Sequence, residues 1–289
     1  MAISASQVKE LRDKTGAGMM DCKKALTEAD GDFDKAVEIL RKKGASVAAK
    51  RAERTASEGI VLTKIIDDGK TGIIVEVNCE TDFVASSDDF IKFANYILSA
   101  VENIKPANVE ALLELEHDGT KVATALTDVI GKIGEKIEVS RFAIEYAENG
   151  LVVDYVHHGA KLAVLIKADN VPAAKADEFG GLLKDIAMQA AAMKPKYLTR
   201  EDVPNEVIDK EKEIYKEVAA KEGKPENILE RIAEGKLNKF FEEVCLVDQA
   251  FIKDNAKKVG ELINEFNKAN SSEAKLVLFH RFHLSDEKK

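Results

Sequence analysis

The spacing of apolar and polar positions changes three times along the chain. Over the first 44 residues it has a helical period. Ser4 and Gln7 form a capping box, Val8 and Leu11 supply an apolar face, and Gly16 ends the first helix. A second helix is predicted from about Met19 to Ala29, stopping at Asp30-Gly31. A third opens on Asp32 as its cap and places Phe33, Ala36, Val37 and Leu40 at i, i+3, i+4 and i+7. Gly44 is expected to lie beyond its end, and the Ala-, Lys-, Arg- and Ser-rich residues 45–58 read as a linker. Three helices this short close only a small core, so the module is expected to be marginal alone and tethered.

From Gly59 the period becomes that of strands. Ile60 to Ile66 and Thr71 to Cys79 are rich in β-branched residues and are joined by Asp67-Asp68-Gly69-Lys70, which predicts an antiparallel hairpin. A helix from Asp88 to Ile104 buries Phe90, Phe93, Ala94, Ile97 and Val101. Helical spacing resumes from Val109 to Gly134, broken at Asp118-Gly119. Strands are predicted over Lys136–Ala147, Leu151–His157 and Leu162–Ala168, followed by a helix from about Pro172 to Met193. Within 197–241, Val207, Ile214 and Val218 mark one helix, and Ile228, Leu229, Ile232 and Phe240 mark another. Gly223-Lys224-Pro225 turns between them, which predicts a projecting helical hairpin of coiled-coil type. Residues 243–289 return to mixed structure and end on the strand-like Lys275–Leu284. Hairpin strands covered by helices on one side make the fold class α+β.

Composition leaves that picture intact and removes several functions. At 289 residues, 45% of them hydrophobic and 33% charged, the chain suits about two globular domains. The longest aliphatic run, Leu162 to Ile166, is far short of the roughly 20 residues that cross a bilayer. Met1 to Glu10 has neither a basic start nor an apolar core, so no leader is expected there and the cytoplasm is the default compartment. Cys22, Cys79 and Cys245 are scattered, as free thiols in a reducing compartment are. A net charge of −9 argues against direct nucleic-acid binding. The first 58 residues are the exception, with twelve basic and ten acidic side chains. Arg41, Lys42, Lys43, Lys50, Arg51 and Arg54 form either a solvated helix face or a docking strip for an acidic protein.

Candidate chemistry is sparse. His280 and His283 stand three apart on a strand and point to opposite faces, so they cannot share a metal. His157 and His158 sit at a hairpin tip, where one buried and one exposed is expected. Cys79 near Asp82 could be written as a thiol hydrolase, but an apolar strand usually keeps its cysteine as core. The sequence contains no phosphate-cradling Walker loop, no Gly-x-Gly-x-x-Gly after a strand and no His-Glu-x-x-His. No cofactor or metal is expected, and a binding protein fits better than an enzyme. Two stretches break local rules. Asn78 to Ala85 sets a polar cluster and then Phe83 in a loop after an apolar strand, where Phe83 could be a hydrophobic staple with Thr81 or Asp82 as cap. Gly16-Ala17-Gly18-Met19-Met20 pairs flexible residues with adaptable methionines, which suit a contact surface although core packing is their commoner use.

Those same two stretches carry a resemblance. Leu11-Arg12-Asp13-Lys14-Thr15-Gly16-Ala17-Gly18-Met19-Met20-Asp21-Cys22-Lys23-Lys24-Ala25-Leu26 and Glu76-Val77-Asn78-Cys79-Glu80-Thr81-Asp82-Phe83-Val84-Ala85 resemble, in order and separation, the two signatures of the bacterial translation elongation factor Ts family. Weaker similarity continues through Lys132-Ile133-Gly134-Glu135, His158-Gly159-Ala160-Lys161, Ile186-Ala187-Met188 and Glu243-Val244-Cys245-Leu246. The resemblance implies a ubiquitin-associated-like three-helix domain over 1–54, one core subdomain over 55–150, a second over 151–196 and 242–289, and a hairpin inserted at 197–241. It implies a guanine nucleotide exchange factor that binds elongation factor Tu, GDP-bound and nucleotide-free, and wedges Asp82 and Phe83 into its GTPase domain. Thr81 and Val84 flank that wedge and would contact the partner with it. Met19, Met20 and Lys23 would contribute from the first domain, and Ile133, Gly134, His158 and Val244 from the core. Homodimerisation through 197–241 is a further expectation. Two other functions compete: an adaptor built on the three-helix module, and a Cys79-dependent enzyme. The chain departs from the family at Ser86-Ser87, where Arg-Asn is usual, at Gln189, where histidine is common, and at Ala250, where proline is usual. It also stops soon after His283, short of the extra C-terminal helix of some members.

Overall fold

The computed structural model describes residues 3–286; Met1, Ala2 and the last three positions lie outside the described residues. Helices α1 (Ala5–Thr15), α2 (Met19–Glu28) and α3 (Phe33–Arg51) open the chain. The Ser4–Gln7 capping box, the left-handed Gly16 cap and the Asp32 cap form as expected. Val8, Leu11, Cys22, Ala25, Leu26 and Ala36 make the small core of this module.

The third helix corrects the expectation at Gly44. It runs through that residue to Arg51, so the first half of the presumed linker is helical. Ala, Lys and Arg are strong helix formers, and Val47 and Ala48 gain burial against the neighbouring core. Gly44 marks a close approach and not a stop. A Cβ on Gly131 of the facing helix would lie 2.8 Å from the Gly44 Cα, so the two backbones cross where neither has a side chain. The module is therefore packed against the core as well as tethered to it.

Strands β1 (Glu58–Ile66) and β2 (Thr71–Cys79) form the expected hairpin. After β2 come α4 (Asp82–Ala85), α5 (Asp88–Ile104) and α6 (Val109–Glu114). Next are β3 (Glu116–His117), β4 (Thr120–Lys121), α7 (Val122–Ile133) and β5 (Ile137–Tyr146). The break at Asp118-Gly119 is thus a small two-strand hairpin and not a turn between helices. β2 lies between β1 and β5, and all nine of its residues are buried. Ile73, Val75, Val77 and Cys79 join the helix-covered core with Phe90, Phe93 and Ile97. Ile74, on the other face, packs with Val61, Val152, Leu165 and Phe282. That second cluster lies between two sheets, so β2 is covered on both sides and has no solvent face to alternate with.

The second sheet has the order β10-β7-β6, built from β6 (Gly150–Val156), β7 (Leu162–Asp169) and β10 (Lys275–His283). Both three-stranded sheets are antiparallel throughout. Helices α8 (Ala176–Met193) and α11 (Val259–Asn270) cover the second, with Phe179 against Phe266. Between them stand α9 (Asn205–Lys221), α10 (Leu229–Val244) and the short strands β8 (Ala250–Phe251) and β9 (Asp254–Lys258). Helices α9 and α10 pack against each other as the predicted hairpin. Val203, Leu237, Phe241, Val244 and Cys245 are buried at its base, while Ile214, Val218 and Ile228 are exposed farther out. The architecture is α+β.

Two of the sequence departures meet in space. Buried Gln189 donates to Gln249 Oε1 at 3.1 Å and to the Ala250 carbonyl at 3.0 Å, and it accepts from the Ile252 N–H at 2.8 Å. A glutamine can serve both a carbonyl and an N–H at once, so the helix α8 and the β8 segment are locked by one side chain.

Candidate functional site

Strand β2 ends at Cys79, and the chain leaves the core abruptly. Thr81 caps the single turn of α4, accepting the Val84 N–H at 3.3 Å. Ala85 is buried and Val84 packs against the helix-covered core, which leaves Asp82 and Phe83 on the outer side of the turn. Phe83 is 85% exposed, the most exposed of the large hydrophobic residues described. The expected cap is present at Thr81, but Phe83 is no staple. Ser86 and Ser87 close the turn by donating to the Asp82 and Val84 carbonyls at 3.0 and 2.8 Å, and Ser87 also caps α5.

The base of this loop is held by two carboxylates. Glu135 accepts the N–H groups of Glu80 and Thr81 at 3.2 and 3.1 Å and the Thr81 hydroxyl at 2.8 Å. Glu80 accepts the Lys136 N–H at 2.6 Å and pairs with Arg51 and Arg54 at 2.9 and 3.0 Å. Partial burial disfavours the Glu80 charge. The Lys136 N–H, Arg54 and Arg51 outweigh it and hold the carboxyl down at about 2. Sequence reading singled out neither Glu80 nor Glu135. Both stand inside quoted motifs, but nothing in spacing says that two strand ends exchange carboxylates. Arg51 and Arg54 belong to the basic run, and here they meet this protein's own Glu80.

Cys79 corrects the thiol-hydrolase reading. Burial, and then the Glu135 charge, push its thiol up to about 12, and it donates to the Thr81 carbonyl at 3.2 Å. A thiol held protonated in a strand is a poor nucleophile.

Gly134 caps α7 in a left-handed conformation at φ 80°, with open space where a Cβ would point, and Ile133 packs half-buried beneath it. One residue earlier, Lys132 pairs with Asp89 at 2.6 Å and lies across Gly16. That contact brings the Gly16–Met20 segment to the end of α7, where Met19 and Met20 are 55% and 63% exposed and Lys23 is exposed on the next turn. On the other side, the β6–β7 turn reaches β1: the Val61 N–H donates to the Ala160 carbonyl at 2.7 Å, and Lys161 pairs with Glu58 at 2.6 Å. The Glu58 hydrogen bond and charge raise the Lys161 pKa, with Asp82 adding to the effect. His158 stands on this turn. Both His157 and His158 are exposed, so the expectation of one buried histidine is wrong. A tight turn with Gly159 leaves neither side chain a core to enter. Val244 stands apart, its side chain buried at the base of the α9–α10 hairpin and its carbonyl accepting the Lys196 and Tyr197 N–H groups. His280 pairs with Glu145 and His283 with Ser285, so the two histidines share no ligand position.

Among the described residues no helix is long and apolar enough to cross a membrane. An exposed aromatic beside a carboxylate on a rigid, charged base is a surface of the kind that anchors a protein contact.

The family described as elongation factor TS matches residues 80–286. The chain is 47% identical over 289 residues to elongation factor Ts of Chloroherpeton thalassium, with 99% of each chain covered. It is 49% identical over 286 residues to that of Chlorobium phaeobacteroides, with 98% of each covered. With that of Clostridium perfringens it shares 47% over 281 residues, 97% of this chain and 92% of the relative. The matching family and these full-length relatives are elongation factors, which disfavours the adaptor reading. The chain belongs to the elongation factor Ts family and is a guanine nucleotide exchange factor for elongation factor Tu.

Proposed function

We propose that Asp82 and Phe83, carried on the one-turn α4, are the wedge that displaces GDP from elongation factor Tu. The observation that supports this reading best is the 85% exposure of Phe83 on a turn whose base is hydrogen-bonded at Glu80 and Thr81. A large aromatic left in water on a rigid support gains most when a partner buries it. The adjacent carboxylate competes for positions that the nucleotide phosphates and their metal ion occupy in the partner. Release needs only that those contacts be displaced, so this protein makes and breaks no covalent bond and requires no cofactor. Coupling is reciprocal: GDP weakens this protein's binding by the factor by which this protein weakens GDP binding. Both the GDP-bound and the nucleotide-free partner are therefore bound, the latter more tightly.

Thr81 and Val84 set the pose of the wedge. Ile133, Gly134 and His158 line its surroundings, and Met19, Met20 and Lys23 extend the contact from the N-terminal module. Val244 acts from beneath, by fixing the base of the hairpin. The division that goes with this reading is 1–54, 55–150, 151–196 with 242–289, and 197–241. Pairing with a second copy would use the exposed Ile214, Val218 and Ile228 of the hairpin. The working compartment is the cytoplasm, where the partner acts.

The test is the release of a fluorescent GDP from elongation factor Tu. Substoichiometric protein is expected to accelerate release while binding no nucleotide itself. A rate that stays spontaneous at equimolar protein would falsify the assignment.

A further inference from the structure

We infer that Arg51 and Arg54 are positioning residues for exchange: through Glu80 they tie the end of α3 to the base of the Asp82–Phe83 loop and hold that loop in one orientation. The inference rests on the wedge reading above. Glu80 lies three residues before Phe83, and its side chain is only 16% exposed. Oε1 accepts from Arg51 and from the Lys136 N–H, while Oε2 accepts from Arg54. Glu135 in return takes the backbone N–H groups of Glu80 and Thr81. Each carboxylate thus binds backbone beside the other, and the two are locked close together. A carboxylate this far out of water keeps its charge only with cations beside it. Arg51 and Arg54 are those cations. A guanidinium suits the task, because its rigid fork holds a fixed direction where a lysine would rotate.

Both arginines arrive from the N-terminal module. The same α3 crosses α7 at Gly44 and Gly131, and α7 runs directly into Gly134 and Glu135. The module therefore grips the loop base at two points, by backbone contact at α7 and by charge at Glu80. The depressed Glu80 pKa agrees with a carboxylate that stays ionised in this setting. A preorganised wedge delivers the binding energy of Phe83 without first having to order the loop. The basic run is then an internal brace at Arg51 and Arg54 and not a strip for an external acidic partner.

The chain contains no tryptophan, so Phe83→Trp places a single indole at the loop tip of the full-length protein. In that background Arg51→Ala with Arg54→Ala is expected to widen the fast wobble of the indole, seen by fluorescence anisotropy decay without any partner. In the chain that keeps Phe83, the same pair of changes is expected to lower the maximal rate of GDP release about tenfold, with the half-saturating concentration moved less than about twofold. Glu80→Gln is expected to act alike, and adding the arginine changes to it to cost no more, since all three remove one contact. Arg51→Lys with Arg54→Lys is expected to restore part of the rate. Thermal unfolding guards against loss of the fold, and Arg54→Ala alone, at a side chain 55% exposed, serves if the pair unfolds. Unchanged wobble overturns the brace. So do a looser indole with normal exchange, additive losses, or a loss confined to the half-saturating concentration. Full exchange by Phe83→Ala would sink the wedge reading instead, and it would leave the anisotropy result standing.

Discussion

Phe83 and Phe90 stand seven residues apart, one 85% exposed and the other fully buried. Both follow a capping residue, Thr81 and Ser87, and both lie in helices. What separates them is what covers the helix. α5 lies against β1 and β2 and turns Phe90, Phe93 and Ile97 into the core. α4 is one turn long and is fastened through Thr81 and the buried Ala85, so its second residue has nothing above it. An aromatic that a short, well-braced element holds in water is a surface feature, and the comparison teaches that exposure here is built and not left over.

The comparison breaks most readily at Phe90. Phe90→Ala removes a fully buried ring and is expected to cost about 3–5 kcal/mol of stability, seen as a steep fall in the thermal midpoint. Phe83→Ala is expected to leave that midpoint nearly unchanged while slowing GDP release roughly thirtyfold, the equivalent of about 2 kcal/mol at a wedge anchor. A large stability loss with normal exchange per folded molecule would make the two residues alike and end the wedge assignment.

Acid titration sharpens the comparison at the loop base. The Glu80 carboxylate faces Arg51, Arg54 and the Lys136 N–H. Burial works against its charge, but the donors win and hold it at about 2, below the ordinary carboxylate value. A depressed folded pKa stabilises the folded state in full above the unfolded value and less as pH falls. The contribution is therefore complete above about pH 5 and fades between about pH 4 and 2. Glu80→Gln is expected to flatten the fall of the unfolding free energy through that window; an unaltered slope would show that the carboxylate is not held as described. The smallest effect is expected at Lys23, exposed on α2. Lys23→Ala should weaken association with elongation factor Tu only a few-fold, by less than about 1 kcal/mol, and spare the maximal rate. A fall in maximal rate without weaker binding would move Lys23 out of the docking surface.

The sequence by itself determined the α+β class, the strands of both three-stranded sheets to within a residue or two, the caps at Ser4 and Asp32 and the α9–α10 hairpin. Periodicity and capping are local, and each is set by residues within a turn or a strand of one another. It also carried Thr81, Asp82 and Phe83 as a motif, because a polar cluster followed by an aromatic at the end of a buried strand is visible without a structure. Tertiary structure alone decided three things. Gly44 was legible as a helix stop by local rules, and only the crossing with Gly131, 87 positions later, made it a contact inside a longer helix. Phe83 was equally consistent with a staple until the packing of Val84 and Ala85 turned it outward. Glu80, Glu135, Arg51 and Arg54 come from three elements up to 84 positions apart, and their pairing depends on two strand ends meeting beneath one helix terminus. Charge pairing at long separation leaves no period in a sequence, so the fold has to bring the partners together before they can be seen.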